Sequence, residues 1–421
     1  MIQANKLFFA SCLSLLVTSM IFSIRADVLQ SISADYLLSN AMIGLTISSV
    51  FWGFTLGIIG CALIVDFVGM KCLHILSGVG YLLGIALILL APANSSGQPI
   101  DDIFAASGTT VLYLGFLLTG IAQGVVEGVT NPLVATLFKR DKRRMLTRLH
   151  AWWPMGLIAG GLIAWGLGQL GLSWQVKLAV VGVPTLGYLM LVVPLQYPST
   201  ERVSASVSSR DMFAQIKRPL FIVLMLLMWV TAATELAPDQ WFAKIMVDLL
   251  PQLGSNSILL LVYTAGLMFI LRQYASGWIF ARYSPFAVLT FSAVLTAAGL
   301  LGLGLSGRSG LSAGWGGAAA LFCVTAFGVG KTFFWPTMLA ITSELLPKGG
   351  ALLINLMGGA GMLSVMVAVP TIGTLMDHYD TASALLVVAL LPGLLVFAFA
   401  GLWLVFSRRG GYRPHLLETP H

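Results

Sequence analysis

Apolar runs of membrane-spanning length are the feature that most restricts how this 421-residue chain can fold. A transmembrane helix needs roughly 20 apolar residues, and twelve runs of about that length take up most of the sequence. Only 9% of the residues are charged, whereas about a quarter are charged in a soluble domain. The chain is therefore predicted to be an all-α membrane protein with twelve transmembrane helices and no large soluble domain. The runs lie at about 7–30, 40–65, 73–92, 110–138, 145–170, 174–196, 219–248, 256–280, 286–306, 316–340, 350–376 and 382–406.

Lysine and arginine are unevenly distributed between the two sides of such a bundle. Of the 23 Lys and Arg residues, 17 fall in connections on one side, including a basic block at 139–148. Arg308 stands alone in the connections of the opposite side. Because cytoplasmic loops carry the excess of positive charge, both termini are predicted to lie in the cytoplasm. The net charge of +7 therefore reflects topology, and nucleic acid is not expected as a partner.

A polar, serine-rich connection at 197–218 divides the chain into two sets of six helices. The predicted units are an N-terminal bundle at 1–196, this cytoplasmic linker, and a C-terminal bundle with a short cytoplasmic tail at 219–421. Within the linker, Met212 and Ile216 have helical spacing beside basic residues. A short helix on the membrane surface and an ordinary solvated linker both fit this pattern.

The two halves show a weak internal repeat. The fourth span has an acid at Glu127, five residues before Pro132, and the tenth has a base at Lys331, five residues before Pro336. Parallel repeats of six helices are typical of a large class of transporters. If the repeat is real, Glu127 and Lys331 face each other from opposite halves and attract when the space between them is empty or contracted.

Charged side chains inside the spans are the first candidates for function, because the bilayer penalises them and they usually face a water-filled cavity or a partner. Six residues form this set: Asp27, Glu127, Glu235, Asp239, Arg272 and Lys331. We expect Glu235 to bind substrate and the other five to serve in proton coupling or gating.

The fourth span carries one polar face in an otherwise apolar helix. Helical spacing places Gln123, Glu127 and Asn131 on that face. One interpretation is a cavity wall, in which Gln123 and Asn131 bind substrate hydroxyls and Glu127 binds substrate or carries a proton. The alternative is a patch that joins helices, with Asn131 bonded to a backbone group freed by Pro132.

Two acids in the seventh span, Glu235 and Asp239, are separated by four residues and repel each other if both are charged. One of them must therefore be protonated or paired, and Lys331 and Arg272 of the same half are the predicted partners. The resulting network either holds the helices together permanently or changes with the access state. For Asp27, one interpretation is an acid at the outer end of its span that pairs with Arg25.

Aromatic and amide side chains complete the candidate site. Sugars stack their C–H faces on aromatic rings, but tryptophan is also common at membrane interfaces, so both interpretations stay open. His150 is either a ligand or proton relay or a residue bonded to the backbone at a helix start. The predicted substrate-binding residues are Gln123, Asn131, His150, Trp153, Glu235, Trp241, Trp335 and Asn355.

Several chemistries have no sequence support. The four cysteines form no C-x-x-C pair, so no metal site or disulfide framework is indicated. The stretch Gly328–Thr332 imitates the end of a phosphate-binding loop, but Thr325 replaces the required first glycine and no strand precedes it. No cofactor, no metal and no enzymatic activity are expected, and active transport would have to use an ion gradient.

Short motifs connect the chain to a known family. The Asp66-x-x-Gly69-x-Lys71 loop resembles the motif between the second and third helices of the major facilitator superfamily. The segment Glu127–Pro132 is similar to the E-T-A-A-N-P element of the fucose–proton symporter family of sugar transporters. Further similarities are Ala26–Leu29, Glu235 with Trp241, Arg272, Trp335–Thr337, and Gly358–Ala360 with Pro370, Gly373 and Asp377. Arg25 and Lys331 depart from the family pattern.

This resemblance implies two pseudo-symmetric six-helix bundles and a proton-coupling role for Asp27. The predicted function is secondary active transport of a small polar solute, a monosaccharide in the first place, by alternating access with proton coupling. The alternatives are a sugar uniporter, an exporter of an amphiphile or drug, and a receptor or scaffold that transports nothing. The expected partners are a sugar, protons and the lipid bilayer, and the expected state is a monomer in the plasma membrane, specifically a bacterial inner membrane.

Overall fold

The computed structural model describes residues 3–94, 97–138, 142–199, 209–308 and 315–414, and within these ranges it contains helices and no strand. The predicted all-α fold is confirmed. The transmembrane helices are α1 Ala4–Tyr36, α2 Asn40–Val68, α3 Met70–Leu90, α4 Ser107–Leu137, α5 Trp152–Gln169, α6 Trp174–Val192, α7 Pro219–Leu249, α8 Pro251–Arg282, α9 Pro285–Arg308, α10 Trp315–Lys331 continued by Phe334–Leu345, α11 Gly350–His378 and α12 Thr381–Arg408.

Eleven segments of the described residues are long and apolar enough to cross a membrane. The remaining helix of the twelve is α5, which has 18 residues and is rich in glycine. It packs along α1 and α8, so neighbouring helices cover part of its surface.

Helix contacts follow a two-fold pattern that relates α1–α6 (the first half) to α7–α12 (the second half). Within the first half α1 packs on α5 and α2 on α4, and the equivalent pairs α7 with α11 and α8 with α10 pack in the second half. Between the halves, α2 packs on α11, α5 on α8 and α1 on α7. The two-fold repeat exchanges α2 with α8 and α5 with α11, so the α2–α11 contact is equivalent to the α5–α8 contact. The α1–α7 contact is its own equivalent, so these helices meet near the two-fold axis.

Each helix runs between two ends of the bundle. We call the end that holds Ala4 and Arg408 the termini end, and the end that holds Tyr36, Asn40 and His378 the far end. At the termini end, α2 and α3 are separated by Gly69 alone, whose φ of +85° favours glycine. This turn explains why the loop motif requires a glycine there, whereas the Asp66 side chain lies outside the described residues.

The linker between the halves is described in part. A short helix at Ser209–Ala214 and a 3₁₀ turn at Gln215–Lys217 precede α7, in the segment for which the sequence left a surface helix and a solvated linker open. Residues 200–208 of the linker and residues 139–141 of the basic block lie outside the described residues. A second short helix, Lys142–His150, leads into α5.

Glycines allow α2 and α4 to approach closely. A β carbon on Gly120 of α4 would overlap the carbonyl oxygen of Val50, and one on Gly124 would overlap that of Phe54. Small residues permit such backbone contact, and van der Waals packing then holds helices together in lipid.

Replacing Gly120 with alanine is expected to destabilise the protein by about 1–3 kcal/mol, because the methyl group overpacks the α2–α4 contact. Gly60→Ala is the matched control, since no heavy atom lies within 4 Å of a β carbon at that position in α2. Thermal unfolding of the purified variants in detergent measures the difference. Equal unfolding temperatures for the two variants would contradict the packing assignment.

Candidate functional site

A break in α10 organises the first polar cluster. Pro336 has no backbone N–H, so it leaves the carbonyl of Thr332, four residues earlier, without a helical partner. Arg272 donates its Nε hydrogen to that carbonyl at 2.9 Å. The backbone N–H of Trp335 donates to Glu235 Oε2 at 3.1 Å, and Arg272 Nη2 lies 3.3 Å from Glu235 Oε1. The Glu235–Arg272 pair thus satisfies backbone groups that the break exposes.

Arg272 occupies an irregular segment of α8. Residues Leu271–Ala275 form a π-helical turn, a feature found frequently at functional sites. The turn lies between two regular α-helical stretches of α8. Arg272 and Glu235 are both buried, so the charges are shielded from lipid and pair with each other.

The second ion pair joins α7 and α10 directly. Lys331 Nζ lies 2.5 Å from both carboxylate oxygens of Asp239 and 4.8 Å from the centre of the Phe327 ring. Both charged side chains are buried. The predicted partners of the two acids of α7 are therefore confirmed. The predicted attraction between Glu127 and Lys331 is wrong for this conformation, because the Lys331 ammonium is taken up by an acid of its own half.

Glu127 belongs to a hydrogen-bond chain of the first half. Asn131 Nδ2 donates to Glu127 Oε2 at 3.0 Å, and His150 Nε2 donates to Asn131 Oδ1 at 3.1 Å, since an amide oxygen only accepts. The interpretation of Asn131 as a partner for backbone freed by Pro132 is wrong, because both amide atoms bond to side chains. The predicted residues Glu127, Asn131 and His150 are thus brought together, and the chain links α4 to the entry of α5.

Asp27 has a different partner from the one suggested by the sequence. Its carboxylate lies 2.7 Å from Lys177 Nζ of α6, in the same half. The pairing with Arg25 is wrong because residues two apart point to opposite sides of a helix. Arg25 instead points across the interface, and its Nε donates to Gln240 of α7 at 2.5 Å.

The predicted aromatic residues occupy separate places. Trp153 is half-buried, and its ring meets Phe22 edge-on at 5.9 Å between centroids. Trp335 is also half-buried and lies against Gly358 and Gly361 of α11.

Two further candidates lie on or against α11 and away from Trp153. Trp241 is fully buried between Gly44 and Gly373, and its indole N–H donates to the Val369 carbonyl at 3.0 Å. Asn355 is buried on α11. In this conformation Trp241 therefore packs the two halves together, and a substrate role for either residue stays a prediction.

Five buried polar atoms have no hydrogen-bond partner in the described part of the chain. Among the described residues, the buried side-chain nitrogen and oxygen atoms without a hydrogen-bond partner all lie on α1, α4 and α10. They are Arg25 Nη1 and Nη2, Gln123 Nε2, Thr130 Oγ1 and Thr337 Oγ1. Buried polar groups normally have partners, so each of these atoms is a position where water or a ligand could complete the hydrogen bonds.

Sequence reasoning does not single out Thr130, Thr337 or Gln240. Thr130 lies three residues after Glu127, and Thr337 follows Pro336, so their positions carry a weak signal. Threonine in a helix usually bonds to its own backbone, and only the structure identifies the two hydroxyls that do not.

A family comparison accounts for this architecture. The sequence profile of the Major Facilitator Superfamily matches residues 7–351. The chain belongs to the major facilitator superfamily. Its members are transporters rather than enzymes, and the multi-pass membrane fold predicted here is theirs. A search of curated protein sequences finds no match.

Solved structures of this superfamily are similar to the chain in fold. The xylose transporter XylE from E. coli, in a partially occluded inward-open conformation, has a TM-score of 0.78 at 11% identity, over 94% of this chain and 97% of XylE. The nucleoside transporter NupG has a TM-score of 0.69 at 14% identity, over 94% and 98%. FucP in the outward conformation has a TM-score of 0.64 at 17% identity, over 94% and 98%. These similarities concern the fold alone.

Contacts between the two halves of this major facilitator superfamily protein close the far end. The Asp377 carboxylate of α11 accepts hydrogen bonds from the backbone N–H groups of Asn40 and Ala41, at 3.2 and 2.7 Å. Those groups are the free donors at the start of α2. On the other side of the axis, Gln169 Nε2 donates to Ser255 Oγ at 3.0 Å. Polar contacts therefore close the far end at both equivalent helix pairs, α2 with α11 and α5 with α8.

Linking the far end covalently is expected to stop transport, because alternating access requires the halves to separate there. We suggest Gln169→Cys with Ser255→Cys, joined by a short reducible crosslinker, in a Cys72→Ser and Cys323→Ser background. Uptake should fall to background after crosslinking and return after reduction. Lys244→Cys with Asp248→Cys, linked within α7 alone, is the control. Unchanged uptake in the crosslinked cross-half variant would contradict far-end opening.

Proposed function

We propose that this chain is a secondary active transporter that moves a monosaccharide by alternating access and couples the movement to protons. The observation that supports this proposal is the set of unpartnered buried polar atoms on α1, α4 and α10. Two of these atoms, on Gln123 and Thr130, lie within about one helical turn of Glu127, whose carboxylate accepts a hydrogen bond from a neutral amide. A sugar is a ring of hydroxyl groups, each of which donates and accepts, so it can complete several such hydrogen bonds at once.

Side chains around this group supply the chemistry that a sugar requires. Gln123, Asn131 and His150 offer amide and imidazole groups for hydroxyls, and Trp153 and Trp335 offer half-buried aromatic faces. In the proposal, Asn355, Glu235 and Trp241 become available to substrate as the halves move. Small-molecule sites usually combine a largely apolar lining with a few convergent polar groups, and the proposed residues are of these types.

Proton coupling requires a carboxylate whose charge changes during the cycle. Glu127 suits this role because a neutral amide, and no cation, bonds to its carboxylate. A carboxylate without a cationic partner favours the charged state when hydrated and the neutral state when sealed from water. Asp27, Asp239, Arg272 and Lys331 are proposed to hold the helices in each access state by their ion pairs.

The proposed location is the plasma membrane, specifically a bacterial inner membrane, with both termini in the cytoplasm and the chain active as a monomer. Support comes from the 17 Lys and Arg residues in connections at the termini end. In this orientation the closed far end faces away from the cytoplasm.

Counterflow in proteoliposomes tests the proposed function. Purified protein is reconstituted with a panel of labelled hexoses, pentoses and their acid derivatives, with and without an imposed pH gradient. Counterflow of at least one sugar and its accumulation under an inward proton gradient are expected. Counterflow without pH-driven accumulation would contradict proton coupling and indicate a uniporter, and no counterflow of any panel member would contradict sugar transport.

A further inference from the structure

Arg25 is a buried cation with two unpartnered nitrogens. Its side chain is 1% exposed and lies on α1, the helix through which the first half contacts α7. Nε donates to Gln240 Oε1 at 2.5 Å, and the same Gln240 amide donates to the Phe22 carbonyl at 3.4 Å. Nη1 and Nη2 have no hydrogen-bond partner. Nε therefore anchors the guanidinium, whereas its terminal nitrogens, Nη1 and Nη2, are free to bind a ligand.

Aromatic rings surround this tip. The guanidinium carbon lies 5.2 Å from the centroid of Phe22 and 5.4 Å from that of Phe51. The Phe22 ring in turn contacts Trp153, one of the half-buried tryptophans of the candidate site. Cation–π contacts stabilise the charge in part, but they leave the N–H groups at its edge without acceptors.

Among the described residues, no acid forms an ion pair with Arg25 in this conformation. The acids of the spans that could do so are committed elsewhere: Asp27 to Lys177, Asp239 to Lys331, and Glu235 to Arg272. Glu127 accepts a hydrogen bond from Asn131, and the Tyr81 hydroxyl forms a hydrogen bond with Thr18. A buried charge without a counter-charge is costly, so its retention at the interface between the halves points to an anion that arrives from outside the chain.

We infer that Arg25 recognises the carboxylate of an acidic monosaccharide, through Nη1 and Nη2, and that the substrate is a sugar acid rather than a neutral sugar. This inference rests on the proposed function. The two free nitrogens lie side by side at the end of a planar group, which matches the two oxygens of one carboxylate. A single guanidinium fits a monoanion better than the doubly charged phosphate of a sugar phosphate.

Position in the fold agrees with this role. Arg25 lies on α1 at the α1–α7 contact, and helices that meet across the interface separate during alternating access. Gln123 of α4 adds a third unpartnered nitrogen donor in the same half. The unpartnered nitrogens of Arg25 and Gln123 are all hydrogen-bond donors. A sugar acid complements them, because its carboxylate and its hydroxyl groups supply acceptor oxygens.

Competition in proteoliposomes tests the inference on the unmodified protein. D-galacturonate, its neutral methyl ester and D-galactose have the same ring stereochemistry and differ at the sixth carbon. Galacturonate should inhibit counterflow at least about tenfold more effectively than the ester or galactose, as expected for a charge-assisted bidentate contact. The same comparison is made with D-glucuronate, its methyl ester and D-glucose, in case the protein prefers the gluco to the galacto configuration.

Variants of Arg25 provide the second arm. Arg25→Gln should lower the apparent affinity for the sugar acid by about 100-fold, because truncating one partner of a buried charge pair costs several kcal/mol. It should lower the affinity for the methyl ester and galactose much less, so that the preference for the acid disappears. Arg25→Lys keeps the positive charge but loses the planar pair of N–H donors, so we expect an intermediate loss of affinity for the sugar acid. Arg282→Gln is the control, since Arg282 is exposed and stacks on Trp278 at the termini end of α8.

The possible outcomes separate the two proposals. Neutral sugars that compete better than sugar acids, with a ratio unchanged in Arg25→Gln, would overturn the inference and leave sugar transport standing. Preference for galactose 6-phosphate over galacturonate would also overturn it. Counterflow of neither sugars nor sugar acids would contradict the proposed function itself. Size-exclusion chromatography shows whether the Arg25 variants fold. If neither folds, competition between galacturonate, its ester and galactose on the wild-type protein still tests the preference for a sugar acid.

Discussion

Glu127→Gln is expected to abolish accumulation of substrate against its gradient while preserving exchange. Glutamine keeps an acceptor for Asn131, which donates to Glu127 Oε2 at 3.0 Å, but it takes up no proton. One pH unit stores about 1.4 kcal/mol per proton, which corresponds to about tenfold accumulation for one coupled proton. With an inward gradient of two units, wild-type protein should therefore approach about 100-fold accumulation and the variant none.

Measurements of pH-driven uptake and counterflow on the same proteoliposomes separate the two activities. Gln123→Ala serves as the matched control on the same face of α4, because it removes a binding group and no carboxylate. It should weaken both activities together, whereas Glu127→Gln should remove only the driven one. Full accumulation by Glu127→Gln would exclude Glu127 as the coupling residue and direct attention to Asp27.

Breaking the Lys331–Asp239 pair should produce the largest loss of stability. Lys331 Nζ lies 2.5 Å from both Asp239 oxygens, and each residue is 1% exposed. Lys331→Met alone leaves a buried carboxylate without compensation, and such losses cost about 3–5 kcal/mol. Asp239→Asn alone should cost a similar amount. The double variant Asp239→Asn with Lys331→Met removes both charges and should recover most of the stability.

Thermal unfolding of the four purified proteins measures this coupling. Lys244→Met is the control, because Lys244 pairs with Asp248 in the same helix at 3.0 Å with both side chains partly exposed. Such pairs contribute about 1 kcal/mol or less. Losses that simply add in the double variant would contradict a direct pair.

Transport by the stable double variant distinguishes the two interpretations of the ion-pair network. A network that only holds α7, α8 and α10 together should tolerate replacement by a neutral pair, so transport would persist. A network that rearranges between access states needs the charges themselves, so the double variant would be stable and inactive. We expect the second result, because Lys331 and Trp335 flank the break in α10 where helix geometry changes most easily.

Pairing of the α7 acids was predictable because charges in the spans are few. Once Glu235 and Asp239 are placed four residues apart in an apolar helix, at least one of them must be protonated or paired, and the second half offers Arg272 and Lys331 inside its spans. Which acid takes which cation was not predictable. The break before Pro336 decides it, because Arg272 reaches the freed Thr332 carbonyl and so meets Glu235.

Charge partners across longer distances were not predictable. The internal repeat suggested Glu127 with Lys331, and proximity in sequence suggested Asp27 with Arg25, and both pairs are wrong in this conformation. Helix rotation about its own axis sets these contacts. A change of one residue turns a side chain by about 100°, and the rotation follows from packing details such as the α2–α4 glycines.

By itself the sequence determined that this protein is an all-helical membrane protein built from two similar halves, and that a few charged residues lie inside its spans. The physical reason is that bilayer thickness and the cost of charge in hydrocarbon act on composition and spacing along the chain. Only the tertiary structure decided which of those charges are neutralised. Among the described residues, Asp27, Glu235, Asp239, Arg272 and Lys331 each have an ionic partner, whereas Glu127 and Arg25 are the two that we propose for a proton and a ligand. Ion pairing depends on distances of about 3 Å between helices that are far apart in sequence, so the sequence does not reveal it.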